Sequence, residues 1–95
     1  PEHLLRAHGA VSEPVARAMA EGVCRISGSP CGLAVTGIAG PDGGSAEKPV
    51  GTVYIGCATP EGVEVRRCLF HGDRVSIKWQ SSQTALDMLR RRLGR

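Results

Sequence analysis

Two segments of this chain carry apolar residues at helical spacing, and three short apolar runs lie between them. In the first segment Val15, Met19, Gly22, Val23 and Ile26 recur every three or four residues, which predicts an amphipathic helix. Ser12 supplies an N-cap, with Glu13 and Pro14 in the first turn. Arg17, Glu21 and Arg25 alternate in sign along another face. The helix should end near Ser27 and Gly28, with Pro30 sealing it off. The runs "GLAVTGI" (32–38), "GTVYIGCA" (51–58) and "VEVRRCLFH" (63–71) read as strands. "TPEG" (59–62) carries the residues of a tight turn, so the second and third strands should form an antiparallel hairpin. Asp73 is an N-cap candidate for a final helix from Arg74 to Leu93, whose expected buried stripe is Val75, Trp79, Ser82, Leu86, Leu89 and Leu93.

The order is helix, strand, long loop, strand, strand, helix. This predicts an α/β fold, a mixed sheet of about three strands with two main helices to cover it. No repeat, low-complexity segment or interior boundary divides the 95 residues. Three strands make a thin sheet, and the sequence opens without an initiator Met. Both features lead us to expect a preceding segment that adds at least one more strand.

Composition narrows the picture only slightly. Hydrophobic residues make up 41% and charged residues 22%, as in ordinary globular proteins. Tyr54, Phe70 and Trp79 are the only aromatics, so Val, Leu, Ile and Ala must build the core. The formal charge is +3, and four of the ten arginines fall in the closing "RRRLGR". A solvated helix end explains that cluster, because cations there complement the helix dipole. Nucleic acid is not expected as a partner, since base-stacking aromatics and a recognition motif are lacking. Cys24, Cys31, Cys57 and Cys68 show neither C-x-x-C pairing nor zinc spacing, so reduced thiols in a cytoplasmic protein are expected, with no metal. No stretch is long and apolar enough for a membrane span.

The unusual segment is "TGIAGPDGGSAEKPVGTVYIG", residues 36–56. Glycines let backbone approach a ligand closely, and successive N–H groups in such turns form an anion-binding concavity. Thr36 and Ser45 add hydroxyls and Lys48 adds a charge. A phosphate or carboxylate suits that combination. A plain connecting loop with turn glycines is the alternative. The known phosphate fingerprints do not fit: Lys48 precedes Pro49, the chain continues into a strand, and G-x-G-x-x-G is absent.

This segment resembles the signature of the CinA C-terminal domain family, T-G-I-A-G-P-x-G-G-(T/S)-x-E-K-P-V-G-T-V-(Y/W)-I. Its flanks agree. "HGAVSEPVARAMAEGV" is similar to the family's H-G-A-V-S-E-x-V-A-x-x-M-A-x-G helix, and "FHGDRVSIKWQSSQTALDMLRRRL" to its F-x-G-D-R-x-x-(I/V)-R…A-L-x-x-L ending. The resemblance covers essentially the whole chain, as the C-terminal portion (1–95) of a single domain of three-layer α/β type. It implies hydrolysis of the carboxamide of nicotinamide mononucleotide to nicotinic acid mononucleotide and ammonia, without an organic cofactor. It also implies a homo-oligomer. The family's Ser nucleophile and its assisting Tyr and Lys belong to A-E-S-C-T-G-G-type and Y-x-x-x-x-K-type segments that are not in this chain. The alternative is a non-catalytic module that holds a nucleotide or other anion, linked to competence or DNA damage.

No catalytic residue is therefore expected here, beyond an assisting role open to Thr36. By the resemblance, Thr36, Gly37, Ala39 and Gly40 line the substrate pocket. Lys48 either contacts substrate, orients the loop or pairs with Glu47 or Asp42. Arg74 and Lys78 lie one helical turn apart, so both can face an anion. The family usually has Arg where this chain has Lys78, which keeps the charge and loses the planar two-pronged donor. His8 reads as a packing or capping residue, His71 as exposed and Trp79 as core.

Overall fold

The computed structural model describes residues 11–38, 44–46 and 48–94. Its elements are helix α1 (Glu13–Ser27), strands β1 (Gly32–Gly37), β2 (Thr52–Thr59) and β3 (Gly62–Leu69), and helix α2 (Arg74–Arg92). Each lies within about two residues of its expected bounds. His8 falls outside the described residues.

Local chemistry explains the helix ends. Ser12 holds an extended N-cap backbone, and its carbonyl accepts the Ala16 N–H at 3.0 Å. Pro14 occupies the first turn, where its missing N–H costs nothing. Gly28 closes α1 and donates its N–H to the Cys24 carbonyl at 3.0 Å. At α2, the Asp73 carboxylate accepts the Ser76 N–H at 2.8 Å, as the N-cap reading requires. In the last turn Arg90 and Arg91 pair with Asp87 at 2.8 and 2.9 Å. The hydrogen bond from Arg90 holds the Asp87 carboxyl below the usual carboxylate range. These groups are exposed, so the pairs add little stability.

The described strands pair antiparallel throughout, in the order β1-β2-β3. Thr59 pairs with Gly62, so Pro60 and Glu61 form the two-residue turn. Central β2 is buried along nearly its whole length. Register sorts the two faces. Leu33, Val35 and Gly37 stand opposite Cys57, Ile55 and Val53, and on this side Val53, Ile55 and Cys57 pack with Ile77, Ala85 and Met88 of α2. Ala34 and Thr36 stand opposite Gly56 and Tyr54, on the side where Ala34 and Ala58 pack with Ala20 of α1. The result is three layers, helix on sheet on helix.

The buried faces of both helices differ from the expected stripes. In α2 the sheet covers Ile77, Ser81, Ala85 and Met88. Val75 is 76% exposed and Trp79 65%, and Ser82, Leu86 and Leu93 are exposed too. Leu89 alone of the expected set packs against the core. In α1 Val15 of the expected set is buried, together with Ala16 and Ala20, while Met19, Val23 and Ile26 are exposed. Each helix carries two apolar stripes at helical spacing, and the sheet can cover only one. The covered faces combine small residues, Ala16 and Ala20 on α1 and Ser81 and Ala85 on α2, which let the helices lie close to the strands, with Ile77 and Met88, which fill the core beside them.

Arg92 ties the end of α2 to the β2–β3 hairpin. Its guanidinium donates to Thr59 Oγ1 at 2.9 Å and to the Gly62 carbonyl at 3.0 Å, and lies 3.8 Å from Glu64. Arg92→Ala should lower stability by about 1–2 kcal/mol, the scale of charge-assisted hydrogen bonds at a part-exposed site. Denaturant unfolding measures this, and an unchanged midpoint would show that the hairpin needs no brace.

Candidate functional site

The ends of the glycine-rich segment are closed by backbone bonds. Ile38 donates to the Thr52 carbonyl at 2.9 Å, and Gly51 donates to the Ile38 carbonyl at 2.6 Å. Between them, Ser45 N–H donates to the Lys48 carbonyl at 2.9 Å and Ser45 Oγ accepts the Lys48 N–H at 3.0 Å. The buried Thr52 hydroxyl donates to the Pro49 carbonyl at 2.6 Å. Ala39 and Gly40, expected in the pocket, lie outside the described residues, as do Asp42 and Glu47.

A cavity of about 300 Å³ opens between this end of the sheet and α2. Its walls are Val35, Gly37 and Val53 on the strands, and Ile77, Lys78, Ser81 and Ser82 on the helix. It is near the lower end of the size range of small-molecule sites. Of the expected residues, Gly37 and Lys78 meet here. Ser82 lies one turn beyond Lys78 and presents a second polar group. The Ser81 and Ser82 hydroxyls donate to the Ile77 and Lys78 carbonyls at 2.7 and 3.1 Å. Neither bond is to a base that would activate an oxygen nucleophile.

Thr36 and Lys48 fall on the opposite, α1-facing side. Thr36, Tyr54 and Arg67 form a row across the three strands. The Lys48 ammonium lies 6.0 Å from the centre of the Tyr54 ring, and the Arg67 guanidinium 5.8 Å from it. Lys48 Nζ also donates to the Val11 carbonyl at 2.5 Å, at the start of α1. Arg74 is exposed in the first turn of α2 and does not line the cavity. The expected residues thus divide between two faces, because neighbours along a strand point to opposite sides.

The sequence reading missed Val35, Val53, Ile77 and Ser81 as cavity walls. It placed Ser82 on a buried stripe. The four-residue interval from Lys78 to Ser82 was the available signal. The four cysteines are free, and Cys57 is buried as an apolar filler. Burial pushes the Cys57 and Cys68 thiols up, so both stay protonated at neutral pH. His71 is exposed, as expected. Among the described residues no group of His, Cys, Asp and Glu is arranged to hold a metal, and no helix is long and apolar enough to cross a membrane.

The model of the CinA C-terminal domain matches residues 1–93. A CinA-like protein of Gemmatimonas aurantiaca is 53% identical over 95 residues, and one of Geotalea uraniireducens is 57% identical over 93. These cover 100% and 98% of this chain and 22% of each relative, so the chain spans about a fifth of the curated relatives it matches. The crystal structure of a competence-damaged protein (CinA) superfamily protein from Enterobacter cloacae superposes with a TM-score of 0.92 at 29% identity, covering 99% of this chain and 56% of that one. A competence/damage inducible protein from Agrobacterium tumefaciens gives 0.89 at 41% identity, with coverages of 94% and 55%.

Proposed function

This chain belongs to the CinA C-terminal domain family, and on that premise we propose that it supplies the binding half of a nicotinamide-nucleotide amidohydrolase. The substrate is nicotinamide mononucleotide, and the products are nicotinic acid mononucleotide and ammonia. One observation carries the reading. The cavity opens at Gly37, where the family's glycine-rich signature begins, and Lys78 faces it from α2. A cation beside a small cavity with apolar walls suits a flat heteroaromatic ring joined to a phosphate. The resemblance implies that the nucleophile belongs to a segment outside these residues, and the hydroxyls of Ser81 and Ser82 in the cavity are bonded to backbone carbonyls instead of to a base.

A second reading is a module that binds the nucleotide without hydrolysing it. It accommodates the same two hydroxyls, neither of which is bonded to a base among the described residues, without a further segment. One assay separates the two. The complete gene product is incubated with nicotinamide mononucleotide, and ammonia release and nucleotide binding are both measured. Ammonia release supports the amidohydrolase. Binding without ammonia supports the module, and the absence of both removes each reading. If the enzyme is active, Lys78→Ala should raise KM about tenfold, the loss of one charge-assisted hydrogen bond. Lys78→Arg should keep or improve affinity.

A further inference from the structure

Lys48 lies on the face opposite the cavity, yet a continuous run of bonds joins it to the cavity wall. Its ammonium bonds the Val11 carbonyl, 37 residues away in sequence, and lies over the ring of Tyr54. The next residue, Pro49, receives both the N–H and the hydroxyl of Thr52 through its carbonyl, at 3.0 and 2.6 Å. Thr52 in turn accepts the Ile38 N–H, and Gly51 donates to the Ile38 carbonyl. Ile38 is bonded in sequence to Gly37, which forms the wall. Thr52 is fully buried and Tyr54 nearly so, which leaves this path little slack.

From this path we infer that Lys48 is a positioning residue: it fastens the return of the glycine-rich segment to the start of α1 and thereby sets the Gly37 wall of the cavity on the other face. It works through backbone hydrogen bonds and makes no contact with substrate. Arginine is the conservative replacement, because it is long enough to keep a charge-assisted bond to the Val11 carbonyl and a cation over Tyr54. Methionine keeps the length and apolar stem and loses both interactions.

The inference rests on reading the cavity as the nucleotide site, so its test has a part that does not use activity. Amide hydrogen exchange on the complete gene product should show Lys48→Met speeding exchange at Ile38 and Gly51 about tenfold, as expected when one supporting hydrogen bond is lost. Exchange at Ile55 in mid-strand should stay unchanged, and Lys48→Arg should restore protection. In the complete gene product, Lys48→Met should raise KM for nicotinamide mononucleotide about tenfold and lower kcat less than twofold, with recovery in Lys48→Arg. Unchanged exchange at Ile38 and Gly51 would overturn the latch, whatever the substrate proves to be. A loss of kcat at constant KM would overturn it too, since Lys48 would then act on the reacting atoms. Altered exchange in a product that does not bind the nucleotide would keep the latch and remove the substrate.

Discussion

Gly51→Ala is expected to cost about 3–5 kcal/mol, from backbone strain together with overpacking. Gly51 sits at φ 99°, where an L side chain is strained, and a Cβ built there overlaps the Phe70 carbonyl oxygen. Its own backbone is committed on both sides: the N–H donates to Ile38 and the carbonyl accepts from Phe70 at 2.9 Å. The residue cannot shift without opening the mouth of the glycine-rich segment and the start of the β2–β3 ladder together. A loss of this size is a large part of a small domain's stability. Thermal or denaturant unfolding would read it directly. A variant within about 1 kcal/mol of the parent would show that the strand end relaxes, contrary to the close fit described.

The second large effect is expected at Gly56. A Cβ there would lie 2.6 Å from the Ala16 carbonyl oxygen and 3.2 Å from the Ala20 methyl. The nearest atom belongs to helix backbone, so the whole of α1 must lift to make room. Gly56→Val should destabilise by about 2–4 kcal/mol, at the upper end for overpacking of a tight core. Gly22→Ala is the contrasting change. It lies inside α1, where an added methyl meets only the tip of Arg25 at 3.7 Å. It should stabilise by about 0.5–1 kcal/mol through helix propensity. Equal effects at the two positions would mean that α1 does not rest on the sheet at Gly56.

Solved relatives of the family share this arrangement and extend well beyond it: the Enterobacter cloacae structure is covered only to 56% by this chain. The large apolar side chains left outside on α1 and α2 are those that the sequence pattern marked as core.

Much of the fold was legible without coordinates because the signals are local. Asp73 caps α2, Gly28 ends α1, and Pro60 with Glu61 turns the hairpin, each through interactions within four residues. The family, too, was legible, since residues 36–56 carry its signature almost unchanged. Two things were not. Periodicity names a stripe but cannot choose between two stripes on one helix. That choice depends on how the helix seats on the sheet, where Ala16, Ala20, Ser81 and Ala85 allow close approach and Ile77 and Met88 fill the core. Nor could spacing say that Thr36 and Gly37, adjacent in sequence, serve opposite faces, with Lys48 joining the first and Lys78 the second. A strand turns each successive residue over, so only the register and the placement of one helix on each side decide which neighbours share a site.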